Sequence, residues 1–253
     1  AMLFAAGVGI GLMFYGVHEP ITHTLHPPLN IDATDVEQAR AAGMSAAIFH
    51  WGLHAWAIYA VVGLALAFFT FNRNMPMTLR SAFYPLLGKA VWGPCGHVID
   101  IVAVLATVFG LATSLGIGSE QIAAGLSYLF SIDASTSTKV ILIITIIAIA
   151  IVSVISGLDN GVRRLSEVNL GLAFLLLVFV FMAGPTLNIL LNLGTVTRDY
   201  LYYLPQLSHW IGREDNLFLH GWTTFYWAWW ISWSPFVGMF IARISFGRSV
   251  REF

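Results

Sequence analysis

Between Trp222 and Phe236 the sequence carries eight aromatic side chains: Trp222, Phe225, Tyr226, Trp227, Trp229, Trp230, Trp233 and Phe236. At about 100° per residue these rings point in nearly every direction around a helix, whereas a single packed stripe would occupy one side. Tryptophan usually collects at membrane interfaces, where its N–H meets water. Here Trp229, Trp230 and Trp233 fall near the middle of the apolar run from Trp222 to Ile244. A ring face attracts a cation through its quadrupole and needs no hydrogen bond to do so. The chemistry this stretch offers is therefore the capture of a cation that has no N–H to donate. Pro235 disrupts the backbone bond to the Ile231 carbonyl, and Ser232 and Ser234 beside it supply hydroxyls in its place. The helix is expected to bend or open there.

A second aromatic group lies in HWGLHAWAIY, His50 to Tyr59. Trp56 and Tyr59 are three apart and share a helical face, while Trp51 lies about 140° from Trp56 on the same helix. A box of Trp56, Tyr59 and Trp230, with Trp51, Trp229 and Trp233 nearby, suits a quaternary ammonium group. Each desolvated ring contact contributes about 1 to 2 kcal/mol. His50 and His54 are spaced as two imidazoles sharing a metal or a haem would be. No second pair accompanies them, so they and the other histidines read as interfacial hydrogen-bonding groups. Asp100 and Glu120, the acids of the third apolar segment, lie near its ends and reach an interface. No nucleophile, base and oxyanion set can be assembled, so no enzyme, and no catalytic residue or bound metal, is expected. Cys95 is the single cysteine, which excludes a disulfide pair or a thiolate cluster.

The elements that must position these rings are membrane helices. Hydrophobic residues make up 58% of the 253 and charged residues 10%, a composition no soluble domain keeps off its surface. A net charge of −1 argues against a nucleic-acid partner. Six apolar segments approach the length of about 20 residues that a hydrocarbon core requires: Met2 to Val17, Ser45 to Phe71, His97 to Phe130, Val140 to Ile155, Val168 to Leu193 and Trp222 to Ile244. The first carries Gly7, Gly9 and Gly11, which in a membrane helix permit close packing or unwinding. No strand precedes them, so they are not a dinucleotide fingerprint. Glu19 to Gly43 and Asn72 to Gly96 read as loops. Gly184-Pro185 kinks or ends the fifth segment, and Thr195 to Asp215 reads as an amphipathic stretch lying along the interface. With the first segment running outward, the inner loops hold Arg73, Arg80, Lys89, Arg163, Arg164, Arg243, Arg248 and Arg251. The outer loops hold only Arg40, Lys139, Arg198 and Arg213, the asymmetry that the positive-inside rule requires.

These residues resemble a known family. The run YWAWWISWSPFVGMF, Tyr226 to Phe240, followed by Ala242 to Ser245 and Gly247-Arg248, is similar to the signature of the betaine/choline/carnitine transporter family. FHWGLHAWAIY at Phe49 to Tyr59, GVGIGLMFYG at Gly7 to Gly16 and ATVFG at Ala106 to Gly110 resemble the same family in the same order. The resemblance implies an all-α membrane protein with the LeuT-like inverted-repeat fold and alternating access about a mid-membrane site. It implies a fragment of about six transmembrane helices, family helices 3 to 8. Residues 1–193 would form the first five-helix repeat, 194–218 an amphipathic interfacial segment and 219–253 the first helix of the second repeat. It carries the aromatic box onto Trp51, Trp56, Tyr59 and Trp230, and neighbouring substrate positions onto Trp229 and Trp233.

The same resemblance assigns coupling-ion positions to Thr107 and Phe236, and to Ala5 and Val8 on the glycine-rich helix. Leu111 stands where sodium-coupled members carry a second threonine, so sodium and proton coupling both stay open and no other cofactor is implied. Choline carriers tend to have an acid where this chain has Gly11. A neutral residue there suits a zwitterion, glycine betaine ahead of choline or carnitine. Family members are commonly homotrimers of a bacterial inner membrane and contribute to osmoprotection. A membrane sensor that binds a quaternary amine without moving it is the alternative from another class.

Overall fold

Apolar runs of this length satisfy their backbone groups only as helices when no water is at hand, and every regular element among the described residues is helical. The computed structural model describes residues 2–156 and 163–252, without the side chains of residues 2–8, 10 and 12. The α-helices in chain order are α1 (Met2–Leu25), α2 (Val36–Trp51), α3 (Leu53–Ala67), α4 (Leu79–Ala82), α5 (Tyr84–Leu87) and α6 (Pro94–Phe130), followed by α7 (Thr136–Ile155), α8 (Arg163–Ala183), α9 (Thr186–Ser208) and α10 (Thr224–Ile244). One wider π turn follows α3 at Phe68–Asn72 and another precedes α10 at Leu217–Thr223.

Four stretches among the described residues are long and apolar enough to cross a membrane: Val36–Asn72, Pro94–Phe130, Thr136–Ile155 and Arg163–Ala183. The expected count of six is not reached on that criterion. Helix α10 owes much of its apolar surface to tryptophan and tyrosine, whose polar N–H and O–H groups lower their hydropathy.

The boundaries differ from the sequence reading in instructive ways. Glu19 to Gly43 is not a loop: α1 continues past Pro20 to Leu25 and α2 starts at Val36. Asp32, in the short connection, accepts the Thr34 N–H at 2.8 Å, which holds its carboxyl below the usual carboxylate range. The second loop, Asn72 to Gly96, contains α4, α5 and a 3₁₀ turn. Helix α6 stays continuous through Gly110, Gly116 and Gly118 for 37 residues, about 55 Å at 1.5 Å per residue. Gly184-Pro185 ends α8 as expected, and α9 begins at Thr186.

The chain forms two compact units, Ala1–Ala47 with Thr113–His209, and Ile48–Ala112 with Trp210–Phe253. In the first, the end of α1 meets α2 backbone to backbone. Ala39, Ala42 and Ala46 are fully buried, and a Cβ on Gly43 would lie 2.7 Å from the His23 carbonyl carbon. Small residues at three- and four-residue spacing allow that approach. Glu19 and His23, one turn apart on α1, are buried and pair at 3.3 Å. Glu120 of α6 reaches Lys139 of α7 at 2.5 Å, which accounts for one of the two acids in the long segment.

In the second unit α3 and α10 form the main helix pair. A Cβ on Gly238 would stand 2.6 Å from Val62 Cγ1, so α10 presses against α3 where it carries no side chain. At Gly110 of α6 the corresponding distance to the Ser232 hydroxyl of α10 is 2.5 Å. Helix α10 runs unbroken through Pro235, and the Ser234 hydroxyl donates to the Ile231 carbonyl at 2.8 Å, the acceptor that proline leaves. Arg80 donates to both oxygens of Asp100, from Nε at 2.5 Å and from its backbone N–H at 3.2 Å, tying α4 to the start of α6.

Candidate functional site

The site lies in the second unit and starts from an interruption. Gly52, at φ −95° and ψ −131°, separates α2 from α3, so Trp51 ends one helix while Trp56 and Tyr59 sit on the next. A break of this kind opens carbonyls of the preceding turn to donors outside the helix. The Trp230 indole N–H on α10 takes that opportunity and donates to the His50 carbonyl at 2.9 Å. Trp51 is fixed from the same side, its indole N–H donating to the Tyr226 hydroxyl at 3.3 Å.

These anchors bring together rings from three helices, α2, α3 and α10. Trp56 and Tyr59 have centroids 6.0 Å apart at 77°, Tyr59 and Trp230 6.0 Å at 80°, and Trp230 and Trp51 5.1 Å at 78°. Three successive near-right angles make adjoining walls, where a stacked pile would have shown parallel planes. Trp229 lies parallel to Trp230 at 5.3 Å and 10°, and meets Trp51 edge-on at 6.2 Å. The row runs from Tyr59, Trp229 and Trp230, each no more than 3% exposed, out to Trp56 at 49%. Each edge-to-face pair contributes about 0.5–1.5 kcal/mol beyond its buried area, which holds the walls in place. Such faces offer negative potential to a cation and little else.

The other residues singled out from the sequence are dispersed. Trp233 is buried one turn further along α10, pairs with Phe236 at 6.1 Å and carries an indole N–H with no hydrogen-bond partner among the described residues. Thr107 gives its hydroxyl to the Ala103 carbonyl at 2.9 Å. Gly11 is buried on α1, in the first unit. The side chains of Ala5 and Val8 lie outside the described residues.

The reading of His50 as an interfacial group is corrected. Because α2 begins at Val36, His50 lies about four turns into a helix and is fully buried. Its Nε2 is hydrogen-bonded to the Thr223 hydroxyl at 2.9 Å, and its ring stacks on Tyr226 at 4.5 Å. His54, across the Gly52 break, lies parallel to Trp227 at 5.7 Å. Sequence reasoning did not assign Tyr226 or Thr223 to the site. Tyr226 was visible as one ring of the aromatic run, but nothing in its spacing distinguished the ring that holds Trp51.

Comparison with known proteins follows the same line. The family described as "BCCT, betaine/carnitine/choline family transporter" matches residues 1–253. The chain is 54% identical over 268 residues to a glycine betaine/proline/choline transporter of Vibrio parahaemolyticus, covering 100% of this chain and 48% of that protein. It is 49% identical over 254 residues to a glycine betaine transporter of Acinetobacter baylyi, covering 100% and 38%. It is 47% identical over 261 residues to a high-affinity choline transport protein of Escherichia coli, covering 100% and 37%. The chain thus spans about half or less of the length of these relatives. All three are transporters, not enzymes.

Proposed function

Because the chain belongs to the betaine/carnitine/choline transporter family, we propose that it forms the substrate-binding part of a secondary transporter for a quaternary-ammonium solute, glycine betaine first. The observation that carries this reading is the row of perpendicular ring walls, Trp51, Trp230, Tyr59 and Trp56, drawn from α2, α3 and α10. A trimethylammonium group is charged, weakly hydrated and without N–H donors, so three or four ring faces at about 1–2 kcal/mol each give it ordinary transporter affinity. Trp229 and Trp233 extend the same path. The fold we assign is the LeuT-like inverted repeat, six spans corresponding to family helices 3 to 8. Residues 1–193 make the first repeat, 194–218 an interfacial segment serving homotrimer contacts, and 219–253 the start of the second repeat. The setting is a bacterial inner membrane.

Coupling to sodium or protons is part of the proposal. Thr107, Phe236, Ala5 and Val8 are the positions it would involve, with Leu111 in place of a second threonine weighing against the full sodium site. Choline is the second substrate reading, favoured by the Escherichia coli relative. Gly11 separates the two. Gly11→Asp is expected to shift uptake by the full-length protein from glycine betaine towards choline by about tenfold or more in relative kcat/KM. An unchanged preference would remove Gly11 from the specificity argument. The test of the proposal itself is accumulation of labelled glycine betaine and choline by proteoliposomes of the full-length protein, with and without a sodium gradient. Saturable uptake is the expected result. Binding with no accumulation would instead mark a sensor.

A further inference from the structure

We infer that His50 is a positioning residue for the quaternary-ammonium site, acting on two of its walls at once without facing the solute; this rests on the transporter reading above. The backbone of His50 holds one wall, since its carbonyl accepts the Trp230 indole N–H at 2.9 Å. Its side chain holds the other through an intermediary. The imidazole lies nearly parallel to Phe218 at 5.1 Å and 23°, and to Tyr226 at 4.5 Å and 25°. The hydroxyl of Tyr226 in turn accepts the Trp51 indole N–H at 3.3 Å. The Thr223 hydroxyl, at 2.9 Å from Nε2, fixes the rotation of the imidazole.

Trp51 and Trp230 meet at 78° with centroids 5.1 Å apart, and each is hydrogen-bonded to a group that belongs to His50 or stacks on it. Alternatives at position 50 divide these functions. A leucine would fill the volume but strand the Thr223 hydroxyl, which is itself buried, and would present no flat face to Tyr226. A glutamine reaches Thr223 but supplies no ring. Histidine combines a flat aromatic face with a ring-nitrogen hydrogen-bonding group, which tryptophan does only with a larger ring. Coupling between an interrupted helix and the opposite helix is what such a joint provides: any rotation of the α2 end carries Trp230 and Trp51 together.

The experiment is a double-mutant cycle in the full-length protein in proteoliposomes, measuring KM and kcat for labelled glycine betaine. His50→Gln is expected to raise KM about tenfold with kcat changed by less than about threefold. Tyr226→Phe, which removes only the hydroxyl that seats Trp51, is expected to raise KM about fivefold. The double variant should show a KM no higher than about twice that of His50→Gln, because both changes break one chain of contacts. Effects that multiply, or a KM for His50→Gln equal to that of the wild type, would overturn the inference. Should His50→Gln not assemble, Tyr226→Phe carries the decision, an unchanged KM overturning the inference and a raised one supporting it. If the wild-type protein neither binds nor accumulates glycine betaine or choline, the transporter reading falls and this inference with it. If the wild type transports and the cycle is additive, only the inference falls.

Discussion

Replacing Trp230 by alanine is expected to raise the dissociation constant for glycine betaine about a hundredfold. Two losses combine. One ring face contributes about 1–2 kcal/mol to holding the cation. The indole N–H that meets the His50 carbonyl at 2.9 Å is lost as well, and with it about 0.5–1.5 kcal/mol that seats the α10 rings against the end of α2. Together, about 3 kcal/mol corresponds to two decades of affinity. Trp230→Phe separates the contributions, because it keeps a ring face between Tyr59 and Trp51 while removing the donor; about a tenfold loss is expected. Equilibrium binding on the purified full-length protein, read beside its thermal midpoint, measures both. An alanine variant that binds as the wild type does would leave the ring walls without a role.

The second large effect is expected at Gly238. Its Cβ position lies 2.6 Å from Val62 Cγ1, 3.1 Å from Val62 Cβ and 3.2 Å from the Gly63 backbone nitrogen. Rotation of Val62 relieves the first contact but not the other two, so a side chain at 238 must push α3 away from α10. Tyr59 rides on α3 and Trp230 on α10, so the displacement opens the corner between them. Overpacking of this kind costs about 1–3 kcal/mol. Gly238→Val is expected to abolish saturable uptake and lower the thermal midpoint. Gly238→Ala should be milder and only partly rescued by Val62→Ala, which removes the Cγ1 contact and leaves those to the Cβ at position 62 and to the Gly63 nitrogen. Gly171→Ala on α8, where nothing lies within 4 Å, is the matched control and should leave uptake unaltered without lowering the midpoint.

Much of the site was legible because aromatic side chains this dense in an apolar run have few physical purposes. The tryptophan helix followed from residue type, and the grouping of Trp56, Tyr59 and Trp230 with Trp51 nearby was an expectation from two aromatic-rich runs that the family resemblance also implied. The substitution of a Ser234 hydroxyl for the donor that Pro235 lacks followed from residue type as well. The break at Gly52 was not legible. A single glycine within HWGLHAWAIY interrupts nothing by composition, and it is tertiary context, including the Trp230 donor, that accompanies the departure from helical geometry. The helical ends were lost for a related reason: polar residues from Glu19 to Gly43 read as exposed connection, yet Glu19 and His23 pair across one turn and Ala39, Ala42 and Ala46 bury a small-residue face. Local polarity suggested a loop, and backbone contact at Gly43 overrode it. His50 was misjudged for the same cause, since its depth depends on where α2 begins.

The central claim is that ring faces read the positive charge of the solute, and stepwise fluorination of the Trp230 indole in the full-length protein tests it most directly. Each fluorine weakens the negative potential of the face while leaving the ring's shape and its N–H in place. The account predicts that the logarithm of the dissociation constant for glycine betaine rises in proportion to the number of fluorines, reaching at least tenfold at three. An affinity that stays level across the series would contradict it.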